Sequence, residues 1–398
     1  MICVLFYPDL CHCAGFQLSL IFSFLFEACH TDMYLYLLIV ILFIHGLFHL
    51  LGTLKVFEYG NLQSSVPDHK PVRWIWITAF LLFVVTAIVL WFGNKSWWKL
   101  ALLSVILSQI LIITRWKEAK YGTIINILIL IAVIPAYATS QFDILVKKES
   151  QSILARAPLN KREIINESML DGLPGPVKQW LNHSGIVGKE KLEIIRLKQN
   201  GEMRTKTDGS WMPFIAEQYI TTGEPAFIWK VDVKAYSFLH LVGRDKFESG
   251  KGDMLIKLGA IYNLVNTHEN VKLNAASMIR WLAEISWYPS AALSHFIHWD
   301  SIGTKEARAT INYDGISVSG NFTFNDHGDI TRFSALRYLD VTKDSKLETW
   351  VVEMQDWKTF QGIRVPYTSK LTWKLASGDF NWTNIVLTDL EYNNPVLF

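Results

Sequence analysis

The chain has 398 residues, of which 51% are hydrophobic and only 19% charged, and its mean hydropathy is +0.21. A soluble domain carries nearer a quarter charged residues, so a wholly soluble chain is excluded. The formal net charge of +2, with no Lys/Arg run, excludes a basic nucleic-acid binder.

The apolar excess is confined to residues 1–140, and residues 150–398 have the composition of a soluble domain. All four cysteines (Cys3, Cys11, Cys13 and Cys29) precede Met33. Cys11-His12-Cys13 lacks the paired spacing of a zinc site, so no metal and no cofactor are expected. Residues 1–32 contain no Lys or Arg and therefore lack the charged start of a signal peptide. Because Met33 directly precedes a clean apolar run, residues 1–32 are expected to be a non-native or disordered extension, with Met33 as the start.

A bilayer core of roughly 30 Å needs about 20 apolar residues in a helix. Tyr34 to Leu54, Trp74 to Phe92, Trp97 to Thr114 and Tyr121 to about Tyr137 meet this, giving a four-transmembrane-helix domain over 33–142. Trp74, Trp76, Trp91, Trp97 and Trp98 fall near span ends, where interfacial aromatics belong. The first loop carries Lys55, Lys70 and Arg73, the third Arg115, Lys117 and Lys120, and the second only Lys95 and Lys99. The basic loops face the cytoplasm, so both termini are expected outside a cell membrane, with the C-terminal domain extracytoplasmic. His45 and His49 lie four apart, hence on one face of the first helix. They read either as a polar helix–helix contact assisted by Gly46 and Gly52 or as an intramembrane ligand or proton site. The other spans offer no histidine or carboxylate to complete a haem or metal site.

Residues 143–170 read as a linker or juxtamembrane helix. Within 171–398, Val177 to Leu181 reads as a short helix ending before Ser184-Gly185, and the period then turns from helical to alternating. Strands are expected over Leu192 to Gln199, Glu217 to Thr222, Phe227 to Val233 and Met254 to Leu258. A later meander follows: Ala307 to Tyr313, the Asp314-Gly315 turn, Ile316 to Phe324, Ile330 to Leu339, Trp350 to Met354, the Gln361-Gly362 turn, Ile363 to Trp373, and Phe380 to Tyr392. The sum is roughly ten strands, enough to curl into a sandwich, half-barrel or clamshell. One helical insert near 274–298 interrupts them, with Met278, Leu282 and Ile285 on one face and Arg280 and Glu284 spaced as an i,i+4 pair. Trp287-Tyr288-Pro289 ends it. A helix laid across a curved sheet leaves either packed core or a pocket for something apolar.

Several segments carry a recognisable pattern. They are Leu173-Pro174-x-Pro176-Val177-x-x-Trp180-Leu181 with Ser184-Gly185; Gly243-Arg244-Asp245 with Gly250-x-Gly252-x-Met254; Glu284-x-x-Trp287-Tyr288-Pro289-x-Ala291; Gly362-x-x-Val365-Pro366; and the closing Trp382 to Tyr392. In this order, over about residues 170–393, they resemble a bacterial family of domains of unknown function, some members of which carry a similar four-helix segment in front. The resemblance implies no activity and transfers no catalytic residue. The sheet-plus-helix architecture also looks like the half-barrels of lipoprotein carriers, which hold acyl chains; this is analogy of fold alone.

No phosphate loop or GxSxG elbow is present. His295-Phe296-Ile297-His298 with Asp300 has the spacing of one helical turn but lacks the HExxH arrangement, so core or surface histidines are the plainer account. Glu284, among Trp281, Trp287 and Tyr288, is either a desolvated acid or base or an ion-pair partner of Arg280. Asp245, beside Arg244 in an expected turn, reads as one half of a local salt bridge. Ten of the sixteen tryptophans follow residue 170; most must be packing, and a few are available to line a pocket. The sequence therefore points to a membrane-anchored binding module for a lipid or other hydrophobic ligand, with Trp229, Trp281, Glu284, Trp287 and Tyr288 at the site. The alternatives are a membrane-proximal enzyme using Glu284 or His295/His298, and a sensor or assembly module that binds a protein. Expected partners are membrane lipids and a small hydrophobic ligand, and no nucleic acid.

Overall fold

The computed structural model describes residues 22–60, 70–157, 163–236 and 239–398. Two compact units divide the chain, one around the apolar helices up to Ile144 and one holding Leu145–Leu258 and Tyr262–Phe398. Residues 1–21 of the expected N-terminal extension lie outside the described residues.

The first unit contains helices α1 (Phe22–Gly60), α2 (Lys70–Trp91), α3 (Trp97–Thr114), the single turn α4 (Trp116–Ala119) and α5 (Gly122–Leu154). Four of them hold stretches long and apolar enough to cross a membrane: Met33–Gly52, Arg73–Trp91, Trp97–Thr114 and Gly122–Leu154. Their outward faces are apolar too, with Phe48, Leu51, Ile113 and Ile131 exposed, while Leu42, Phe83, Ala101 and Ile129 meet inside. Glycine lets α1 and α2 approach: a Cβ on Gly46 would stand 3.1 Å from Phe83 Cβ, and one on Gly52 only 2.6 Å from the Trp76 ring. Lys95 in the α2–α3 loop reaches Asp143 on α5 at 3.8 Å, which puts both at one end of the bundle as up-and-down order requires. The helix that holds the fourth apolar stretch passes Pro135 and continues to Leu154, into the residues read as a linker or juxtamembrane helix. Its last turns belong to the second unit, where Glu149 pairs with Arg244 at 3.1 Å and Lys246 at 3.2 Å.

After the end of α5 the second unit continues with α6 (Gly175–Ser184), closed by Gly185 at φ 74°, a left-handed position that glycine takes without strain. Thirteen strands follow: β1 (Ile194–Met203), β2 (Met212–Thr221), β3 (Ala226–Tyr236), β4 (Leu239–Glu248), β5 (Lys251–Leu258), β6 (Tyr262–His268), β7 (Ile297–Ser301), β8 (Glu306–Tyr313), β9 (Ile316–Phe324), β10 (Ile330–Tyr338), β11 (Leu347–Phe360), β12 (Ile363–Leu375) and β13 (Gly378–Tyr392). They form one antiparallel sheet in the order β6-β5-β4-β3-β2-β1-β13-β12-β11-β10-β9-β8-β7. Two meandering arms are thus joined by the pairing of β1 with β13. Three hairpins turn on two residues at positive φ: Ser249-Gly250, Asp314-Gly315 and Gln361-Gly362.

The edge strands β6 and β7 are joined by α7 (Val271–Glu284) and two short 3-10 turns, Ile285–Trp287 and Pro289–Leu293. Asn270 starts α7 by accepting the backbone N–H groups of Lys272 and Leu273 at 2.9 and 3.2 Å. The helix touches β4 and β5 of one arm and β9 and β10 of the other. Nine strand spacings separate β5 from β9, about 43 Å if the sheet were flat at about 4.8 Å each. A helix about 10 Å across meets both only because the sheet curls around it. The result is a curved, unclosed half-barrel with α7 on its inner face.

The strand set exceeds the expected ten because β4, β6 and β7 escape a periodicity reading. In β4 both Arg244 and Asp245 are buried, so neighbouring charges hide the alternation. The expected turn there is corrected to mid-strand, and Asp245 does not pair with Arg244: adjacent strand residues point to opposite faces. His298 and Asp300 likewise lie on strand β7 and not on a helical turn.

Candidate functional site

Between α7 and the inner face of the sheet lies a cavity of about 60 Å³. Its walls follow from strand alternation. Trp350, Val352 and Met354 come from every second position of β11, and Ser369 and Leu371 from β12. Met203, Phe214 and Trp229 come from the other arm, and Ala283 and Trp287 from the helical segment above. Trp382, Thr383 and Ile385 of β13 complete the floor.

One wall is polar. Gln218, Trp229 and Asp245 are direct cross-strand neighbours on β2, β3 and β4, and α7 lays Arg280 and Glu284 over that row. Arg280 donates through Nε to Glu284 Oε1 at 2.7 Å and through a terminal nitrogen to Asp245 Oδ2 at 2.8 Å. Gln218 closes the network, donating to Glu284 Oε2 at 2.7 Å and accepting from Arg280 at 3.2 Å. The Arg280 guanidinium also lies over the rings of Phe227 and Trp229, at 4.8 and 4.7 Å from their centroids. Burial raises the pKa of Glu284, opposed by the neighbouring Arg280 and the bond from Gln218. Asp245 is 6% exposed, and its Oδ1 is buried without a hydrogen-bond partner. Arg337 of β10 borders the same cavity. It donates to Ala276 O at 3.1 Å and stacks over Trp350 and Trp373.

Of the residues singled out from sequence, Trp229, Glu284 and Trp287 line the cavity. Trp281 and Tyr288 do not: both are fully buried in the core, Trp281 donating to Thr221 O at 3.2 Å and Tyr288 to Trp281 O at 2.8 Å. Gln218, Arg337, Trp350 and Trp382 were not anticipated at the site; the alternation around Trp350 carried that signal for β11. His298 is exposed and pairs with its own strand neighbour Asp300 at 3.1 Å. His295 stacks edge-on against Phe296. Among the described residues no group of three His, Cys, Asp or Glu is placed to hold a metal ion.

In the helical unit, His45 and His49 converge on Ser108 of α3, their Nε2 atoms 3.2 and 2.9 Å from its Oγ. His45 Nε2 also lies 3.0 Å from Asn126 Oδ1 on α5, and Asn126 donates to Gln109 at 3.0 Å. Serine and asparagine supply partners that are neither histidine nor carboxylate.

Residues 171–392 match the model of a family of unknown function, DUF6920. The chain belongs to that family. The DUF6920 region takes in α6, the whole sheet and α7, and its short motifs fall on contacts between the sheet and the α7 segment. Gly252 abuts α7, Asp245 and Glu284 hold Arg280, and Pro366 accepts the Trp287 indole N–H at 3.2 Å. No curated protein matches the chain. Among solved structures, it is similar to a domain described as an outer membrane lipoprotein-sorting protein from Vibrio parahaemolyticus, with 8% identity, 52% of this chain and 87% of that one covered, and a TM-score of 0.32. It is also similar to a LolA superfamily protein from Nitrosomonas europaea, with 8% identity, 55% and 94% covered, and a TM-score of 0.31. A DUF1329 family protein from Desulfovibrio piger gives 10% identity, 56% and 93% covered, and a TM-score of 0.28.

Proposed function

We propose that the DUF6920 half-barrel is an extracytoplasmic binding module for a lipid or other hydrophobic ligand, held at the cell membrane by the four apolar helices. The observation that carries this reading is the cavity under α7. Its lining is built largely from indole, thioether and aliphatic side chains, with Asp245, Arg280 and Glu284 on one wall and Arg337, Ser369 and Thr383 from the other strands. That is the make-up of a site that takes an apolar body and orients it by a few fixed polar contacts. The helices account for placement: a carrier of apolar ligand works where its ligand is found.

Native mass spectrometry of the full chain, with organic extraction of what co-purifies, tests the reading. A reproducible adduct near one per chain is expected, and it should be lost in Ser369→Phe, which fills the cavity from β12. A ligand-free wild type that takes up no added lipid, or an adduct retained by a folded Ser369→Phe protein, would remove the cavity from consideration.

A further inference from the structure

The cavity as it stands is small for the ligand class proposed. Its space of about 60 Å³, at about 10–15 Å³ per water-sized group, admits about four to six such groups. A long alkyl chain needs more, so the site must widen to take one. The polar bonds around α7 show where it can. Toward the β1–β6 arm the helix is fixed at three places: Asn274 accepts the Gly252 N–H at 2.8 Å, Arg280 donates to Asp245 at 2.8 Å, and Glu284 accepts from Gln218 at 2.7 Å. Toward β10 and β11 it is held by its first turns. Lys272 donates to the backbone carbonyls of Thr342, Lys343 and Ser345 at 2.7, 2.8 and 3.0 Å. One turn on, Ala276 O accepts from Arg337 at 3.1 Å.

The Lys272 contact uses the whole ammonium group. That group has three N–H donors, and all three end on one loop, residues 339–346, between β10 and β11. The loop is folded to receive them. Asp340 Oδ1 accepts the N–H and hydroxyl of Thr342 at 2.8 and 2.5 Å, and Ser345 Oγ accepts the Asp340 N–H at 3.1 Å. Lys272 also stands in the first turn of α7, the end of the helix dipole that disfavours a cation. The loop carbonyls, and not the helix, account for its place. The loop closes the hairpin whose strands bring Arg337 and Trp350 into the cavity wall.

We propose that the β10–β11 loop is a latch with Lys272 as its bolt. Release of the ammonium from the three carbonyls lets the loop end of that hairpin swing from α7 and widens the cavity for its ligand. Lys272 is thus a positioning residue that governs entry, and it is not part of the lining. This rests on the binding reading given above.

The test uses the full chain in amphipol, with Cys3, Cys11, Cys13 and Cys29 replaced by serine. Spin labels at Lys343→Cys on the loop and Lys251→Cys on the β4–β5 hairpin, both exposed, report the gap by dipolar EPR. Uptake of N-phenyl-1-naphthylamine, a neutral apolar fluorophore larger than the closed cavity, is followed by stopped flow. Only signal lost in Ser369→Phe is counted, or in Ala283→Leu should that variant not fold. Lys272→Met should add a longer interspin distance to the wild-type one. It should also speed uptake about tenfold, as expected when a charge-assisted hydrogen bond no longer holds the closed state. Lys272→Gln serves should the methionine variant not fold. Unchanged distances, or an unchanged rate, in a folded variant that takes up the probe would overturn the latch and leave the binding reading. No cavity-dependent uptake by either protein would overturn the binding reading and the gate with it, while the distances would still report whether Lys272 bolts the loop.

Discussion

Arg280 is held by two carboxylates, two aromatic faces and an amide while only 15% of its side chain is exposed. Such an arrangement matters less for what it adds than for what its loss leaves behind: removing one member of a buried ionic cluster strands the others without compensation. Arg280→Met should therefore destabilise the half-barrel by about 3–5 kcal/mol, read from urea unfolding by tryptophan fluorescence. The triple variant Asp245→Asn/Arg280→Met/Glu284→Gln, which removes the stranded charges, should recover at least half of that loss. A cost below about 1 kcal/mol for the single change, the range of exposed pairs, would mean that water reaches the cluster. Part of this site was legible in the sequence. Arg280 and Glu284 stand four apart in a helical pattern, and their pairing follows from spacing alone. Asp245 and Gln218 join them only through the register of β2, β3 and β4, a long-range fact that no local pattern encodes.

At the scale of elements, α7 and the β4–β5 hairpin explain each other. Gly252 sits where the helix lands: a Cβ there would stand 2.7 Å from Leu273 Cγ and 2.9 Å from Ser277 Oγ, and its N–H donates to Asn274 at 2.8 Å. Leu273 is itself fully buried and has no room to give. Gly252→Ala should cost about 1–3 kcal/mol by overpacking, measured by the same unfolding transition. Gly303 is the control, since its nearest neighbour would be Glu306 Cβ at an ordinary 3.6 Å; alanine there should leave stability unchanged or raise it by up to about 1 kcal/mol. Equal effects at both positions would deny Gly252 its role as a landing site. The same elements show where sequence reading succeeds. Strands β8 and β9 alternate cleanly because one face is wet, and the turn between them is Asp314-Gly315. Strand β4 buries charge on both faces, and β6 and β7 are edges rich in polar residues, so their pattern is silent. That α7 joins the two edges, and so sets the curl, is a property of the whole sheet.

At the scale of the whole molecule, the proposed function requires the half-barrel to lie on the outer side of a membrane. The first and third loops carry three basic residues each and the second carries two, and cytoplasmic loops are the ones enriched in Lys and Arg. The up-and-down bundle, with Lys95 near Asp143, places the second loop and the exit of the fourth apolar stretch at one end. The sheet follows the fourth apolar stretch in the chain, so the proposed arrangement, with the first and third loops cytoplasmic, expects it outside. Single cysteines test this once Cys3, Cys11, Cys13 and Cys29 are replaced by serine. Ser377→Cys lies in the exposed β12–β13 turn, and Lys117→Cys lies exposed in the third loop. In intact spheroplasts a membrane-impermeant maleimide should label Ser377→Cys and spare Lys117→Cys, which should react only after lysis. The reverse pattern would put the half-barrel in the cytoplasm. A cytoplasmic half-barrel could not be an extracytoplasmic lipid carrier, even if its cavity bound the same ligand. Labelling of both cysteines before lysis would mean that the chain does not cross the membrane between the third loop and the sheet. The four apolar helices would then have to be read as something other than four spans.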